Sequence, residues 1–362
     1  MTPSISVQPY GLLRGQHVNL FTLENAGCRA EILDYGGSIL RWWVPDRDGN
    51  LGDIIVGPER LDALDGEGSG FGALVGRCAN RIGGSRFELD GVVYDQLPDN
   101  DEDRGNCLHG GRFFQQNIWR SHALMEGRVP ALHLTYVSPD GEGGFPGEVV
   151  AHVVYRLQEI PGEKGCVLEI HYTARTTRLT PVNLTNHAYF NLAAVGRDIL
   201  GHELQVNADS FTPVDEHLLP TGELAPVDGT PFDFTTAKPV GRDINRDHRQ
   251  LQIAGGYDHN FVLRQSGSAD GLRHAATLRE PGCGRVLEVH TTEPGIQVYS
   301  GAHINNPGFD LPEKRGAFAQ NPSLCLETQH FPDAPNQPNF PSVFLAPEDT
   351  FESVTQYRSR AE

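Results

Sequence analysis

The chain has no Cys-x-x-Cys pair, no His-Glu-x-x-His motif, no glycine-rich nucleotide fingerprint or phosphate loop, and no Gly-x-Ser-x-Gly elbow. Its six cysteines, Cys28, Cys78, Cys107, Cys166, Cys283 and Cys325, are scattered over 362 residues. That spacing excludes a disulfide framework and a local zinc signature. Neither does the spacing of histidines offer a pair of metal ligands on a helix. No apolar run approaches the length of a membrane span. The first residues, Met1-Thr2-Pro3-Ser4-Ile5-Ser6, lack the basic-then-apolar order of a secretory signal. A reduced, cytoplasmic protein is the expectation. Basic charge is scarce as well: 29 Lys and Arg against 47 Asp and Glu give a net charge of -18. This argues against nucleic acid and anionic membrane as partners, since both attract basic proteins. It is silent on a neutral substrate.

Helical periodicity is scarce too, and what fills its place is strand. Short β-rich runs recur at Val18 to Leu23, Cys28 to Leu33, Ile39 to Val44 and Asp53 to Val56. Others follow at Asn117 to Leu124, Ala131 to Val137, Val149 to Leu157, Cys166 to Ala174, His202 to Val206, Asn260 to Leu263, Arg285 to Thr291 and Ile296 to Tyr299. The 41 glycines and 25 prolines supply the turns that so many strands require. The sharpest local signal is Ser85 to Leu89, then Asp90-Gly91, then Val92 to Asp95, a hairpin with a two-residue turn. Only Pro58 to Leu64 and Asp243 to Ile253 suggest short helices or loops, and 213–246 reads as a long excursion over one end of the sheets. With no linker and no repeat, the expectation is all-β: one large antiparallel sandwich over residues 1–362.

Polar residues stand out where strands should be apolar. Ser323 to Phe331 is an apolar run closed by prolines on both sides that carries a single carboxylate, Glu327. Alternation puts Leu324, Leu326 and Thr328 on one face, and Cys325, Glu327 and Gln329 on the other. A buried Glu327 would lose hydration, which raises its pKa toward the range of a general base. The alternative is a glutamate at a sheet edge, solvated or paired with an arginine. Pro181 to Leu192 reads as a strand with Asn183, Thr185, His187 and Tyr189 sharing a face, a polar row suited to a sugar-sized ligand. His109 precedes Gly110-Gly111, a tight turn where backbone can approach a ligand. Asn80 and Arg81 lie just before the hairpin, and Asp258 and Gln297 sit in the later strands. One carboxylate and two histidines in a neutral polar setting suit proton transfer without a metal.

Together these segments resemble the aldose 1-epimerases. The matching pieces are Gly76 to Ile82, Leu108 to Gly111, Asn183 to Leu192, Asp258 to Phe261, Gly295 to Gly301 and Leu326 to Gln329, in the family's order. The resemblance implies a large antiparallel β-sandwich and an enzyme that interconverts the α and β anomers of free aldohexoses such as galactose and glucose. It implies Glu327 as general base at the anomeric hydroxyl, His187 as general acid at the ring oxygen, and His109 assisting or positioning. Asn80, Arg81, Asp258, Gln297 and Tyr189 match positions at or beside the sugar pocket. No cofactor or metal is implied, and the protein would act as a monomer or homodimer on a small monosaccharide. Alternatives are a hexose-6-phosphate mutarotase, which would need added basic residues, and a sugar-binding protein without catalysis. Cys78, the charged stretch Asp101-Glu102-Asp103-Arg104 and the segment Ala302 to Asn306 depart from the family pattern and bear on sugar preference.

Overall fold

A computed structural model describes residues 2–66, 70–194, 196–265, 268, 270–302, 304 and 321–362. Strands dominate, and every ladder between named strands is antiparallel. The longest sheet has nine strands, with Val149–Glu159, Gly165–Thr176 and Phe351–Ala361 at its centre. The first of these alternates buried with exposed or half-buried positions along most of its length, as a sheet with one covered face must. Two smaller sheets cover that face. One has five strands, running from Ser4–Leu13 to Leu51–Asp53, and the other six, from Tyr189–Phe190 to Ala225–Pro226. All three sheets contribute to one buried cluster that includes Trp42, Leu132, Tyr155, Leu168, Phe190, Leu326 and Tyr357.

The sandwich sets the orientation of the strand Leu324–Gln329. It is the second strand of the six, between Tyr189–Phe190 and Gly295–Tyr299. Leu324 and Leu326 point into the core, and Thr328 Oγ1 meets Thr355 Oγ1 of the long sheet at 2.5 Å. Cys325, Glu327 and Gln329 therefore face the other way, as alternation requires.

The hairpin is present as Phe87–Leu89 and Val92–Tyr94, with Asp90 and Gly91 both at positive φ (51° and 74°), the requirement of a type I′ turn. The two helical stretches appear as Leu61–Asp65 and Arg249–Ala254, the second closed by Gly255 in the left-handed region. One strand goes beyond the sequence expectation and one strand reading is corrected. Ser4–Leu13 is a strand that composition did not betray: Pro9 and a register shift between Pro9 and Gly11 interrupt it, and Val7 and Leu12 are exposed. The run from Pro181 to Leu192 is not one strand. It breaks into Thr180–Pro181, Thr185–Asn186 and Tyr189–Phe190, each paired with a different partner. Between them the backbone bonds outside any ladder, Asn183 N–H to Arg77 O and His187 N–H to Ala73 O. Among the described residues no helix is long and apolar enough to cross a membrane.

Candidate active site

A cleft of about 180 Å³ opens on the face of the six-stranded sheet that looks away from the core. Glu327 and His187 both line it. Glu327 is 2% exposed, which removes the sheet-edge reading of this residue. Its Oε1 lies 3.6 Å from His187 Nε2, while Glu327 Oε2 and His187 Nδ1 have no hydrogen-bond partner among the described residues. Burial pushes the Glu327 carboxyl well above the usual range, and the negative charge of Asp258 adds to this against the opposing pull of Arg81. Burial also lowers His187, to about 4. One cause thus makes the carboxylate a stronger base and the imidazolium a stronger acid.

The imidazole of His187 is held by stacking. Its ring lies 4.7 Å from Tyr189 at 15°, and Tyr189 in turn stacks on Phe71 at 4.2 Å. His109 stands edge-on to His187 with ring centres 5.2 Å apart. The backbone N–H of Asn80 donates to His109 Nδ1 at 3.2 Å, and the N–H of His109 donates to Asn80 O at 2.9 Å. An Nδ1 that accepts leaves the proton of a neutral imidazole on Nε2, where it is a donor. Burial, then the nearby charges of His187, Arg81 and Arg112, hold His109 well below the usual histidine range.

Gly110 makes this turn close. Its φ is 61°, and a Cβ there would stand 2.4 Å from Gly76 O and 2.5 Å from Arg77 N. Gly110→Ala therefore combines left-handed strain with a backbone clash. A loss of about 2–4 kcal/mol of stability in urea unfolding is expected, with displacement of His109.

Charged residues line the same cleft. Arg81 Nε donates to Asp101 Oδ2 at 2.9 Å, and Arg81 Nη1 lies 3.8 Å from Asp258 Oδ2. Asp101 also accepts from Asn106 Nδ2 at 3.0 Å and lies 3.5 Å from Arg104. Asp101 of the charged stretch is thus the clamp that fixes Arg81. Gln297 is not on the cleft wall. It stands behind, donating from Nε2 to Asp258 Oδ1 at 2.6 Å.

Of the residues expected from sequence, Glu327, His187, His109, Asn80, Arg81, Asp258 and Tyr189 line the cleft together. Asn183 and Thr185 do not join His187 and Tyr189 there, because the run is broken. Asn183 exchanges two hydrogen bonds with the backbone of His330, and Thr185 Oγ1 donates to Thr328 O. Both pin the strand that carries Glu327. Phe71, Asp101, Arg104, Arg112, Gln115 and Tyr299 also line the cleft and were not singled out as site residues. The double glycine beside Arg112 was the available signal. Cys78 is buried beside Cys107 and Ile82, away from the cleft wall. Of the departing segment 302–306, residues 303, 305 and 306 lie outside the described residues. Among the described residues, no group of three or more His, Cys, Asp or Glu could hold a metal ion.

The sequence model of the aldose 1-epimerase family matches residues 19–358. The galactose mutarotase of Bos taurus is 40% identical over 344 residues, covering 94% of each chain. The aldose 1-epimerase of Escherichia coli K12 is 34% identical over 354 residues, 96% of this chain and 97% of that protein. Among solved structures, the galactose 1-epimerase of Lactobacillus acidophilus NCFM superposes with a TM-score of 0.84 at 27% identity, over 99% of each chain. The chain belongs to the aldose 1-epimerase family, isomerases that interconvert the anomers of aldoses.

Proposed function

We propose that Glu327 and His187 carry this reaction on free aldohexoses, galactose and glucose among them, as base and acid. The observation that carries the reading is the approach of His187 Nε2 to Glu327 Oε1, 3.6 Å, in one cleft. The anomeric hydroxyl and the ring oxygen are bonded to the same carbon, so an acid and a base this close reach both. With a proton on His187, Glu327 takes the hydroxyl proton, the C1–O1 bond becomes a carbonyl, the C1–ring-oxygen bond breaks, and His187 protonates the departing oxygen. Rotation about C1–C2 presents the other carbonyl face. The ring oxygen attacks it, returning its proton to His187, while Glu327 returns its own to O1. No atom or electron is gained or lost. His109 supports the ring oxygen through its Nε2–H, and Arg81, Asp258 and Asn80 hold the other hydroxyls.

The pair works with one proton shared between two groups, so its titration belongs to the pair. At low pH it gains a second proton and loses its base. At high pH it loses its last proton and so its acid. Activity is therefore expected to fall on the acid side only near pH 4, the lowered value of His187. On the alkaline side it falls above the raised value of Glu327. A kcat profile measured by polarimetry with a fixed sugar checks this. An acid limb near the ordinary histidine range would contradict it.

We further read the chain as one catalytic domain, supported by a core to which all three sheets contribute. A cytoplasmic setting is supported by six free thiols, five of them buried. The charge of -18 supports a protein that engages neither nucleic acid nor anionic membrane.

A further inference from the structure

The turn that carries His109 carries a second residue into the cleft. His109, Gly110, Gly111 and Arg112 form four consecutive residues at positive φ: 52°, 61°, 77° and 68°. The two glycines adopt this freely; His109 and Arg112 do not, and a bulky residue there is strained. Strain of this kind persists where the surroundings enforce it, and it gathers at ligand sites. Both strained residues line the cleft, and the two glycines between them do not.

Arg112 is half-buried and has no ion pair or side-chain hydrogen bond among the described residues. The other two arginines of the cleft are tied to carboxylates, Arg81 to Asp101 and Arg104 to Asp101 and Glu102. Gln115, on the same segment, also lines the cleft. It is 1% exposed and its Oε1 has no partner among the described residues. We propose that Arg112 is a substrate-binding and specificity-determining residue, donating to a hydroxyl oxygen of the aldose away from the reacting carbon, with Gln115 beside it. A hydroxyl both accepts and donates, which suits a guanidinium next to a carboxamide. An anionic substituent fits less well, because Asp101, Glu102 and Asp258 face the same cleft. The assignment rests on the function proposed above and names a contact within it.

The test is Arg112→Gly, which relieves the left-handed strain and removes the donor together. The wild type and the variant are compared by polarimetry and by calorimetric sugar binding, using galactose, glucose, glucose 6-phosphate and galactose deoxygenated at one position at a time. The expected result is a KM about ten-fold higher for the parent sugar, the effect of one lost charge-assisted hydrogen bond. The thermal midpoint should be retained or raised. For one deoxy sugar, the wild type should show the same loss as the variant, and the variant no further loss. A lowered thermal midpoint with unchanged KM would make Arg112 structural and overturn the proposal. So would losses that simply add at every deoxy position. A wild-type preference for the 6-phosphate that disappears in the variant would overturn the hydroxyl assignment in favour of an oxyanion. If the wild type turns over no sugar, the proposed function fails, and the calorimetric comparison still decides whether Arg112 binds the sugar.

Discussion

Glu327→Gln is expected to lower kcat for mutarotation by about 10³-fold while leaving the fold intact. The amide matches the carboxyl in volume and keeps an acceptor in place, but it cannot take the anomeric proton. Stability should not suffer. Burial raises the folded-state pKa of Glu327 above its unfolded value. A carboxyl raised in this way holds its proton in the folded state after the unfolded chain has released its own. It therefore costs stability progressively as pH climbs from the unfolded value to the folded one, and the cost persists above that. Glutamine removes the cost. Thermal unfolding at neutral pH should give a midpoint at or above that of the wild type, and the decline of stability with rising pH should be shallower. An inactive variant that also unfolds early would point to a structural carboxylate instead.

His187→Asn is the second large effect. Asparagine retains a side chain that can hydrogen-bond the sugar but has no proton to deliver at these pH values. A fall in kcat of about 10²–10³-fold with little change in KM is expected, the signature of an interaction made only in the transition state. The ring also stacks on Tyr189, so part of the loss comes from the slackened stack. Tyr189→Leu separates the two, since it keeps the acid and removes the support. Its kcat should fall by about ten-fold or less, as fits a side chain that only positions. Equal losses in kcat and binding for His187→Asn would mark the histidine as a binding group.

The strand that carries Glu327 was legible in the sequence for a physical reason. Prolines bound it, its residues are apolar around one glutamate, and period-two alternation alone assigns Glu327 to the face opposite Leu326. The Asp90-Gly91 hairpin was legible because two adjacent residues at positive φ have few solutions in side-chain chemistry. The segment around His187 was legible as chemistry but not as geometry. Its residues read as a strand, yet three short ladders to Phe344–Leu345, Leu74–Val75 and Leu324–Gln329 cut it apart. Those partners are distant in the chain, and no local pattern records them. Asn183 and Thr185 consequently serve the strand of Glu327 rather than the sugar. The charged stretch from Asp101 to Arg104 reads in the sequence only as a departure bearing on sugar preference, and its fold makes Asp101 a clamp on Arg81. Arg112 was hidden because its direction depends on the backbone of the whole turn.

The most direct test of the account is polarimetry on freshly dissolved α-D-galactose with the wild-type protein, excess chelator and a protein-free control. Rotation is expected to decay to its equilibrium value faster with protein than without, in proportion to protein concentration and unaffected by the chelator. Decay no faster than the control, or acceleration that the chelator removes, would contradict acid–base catalysis by Glu327 and His187.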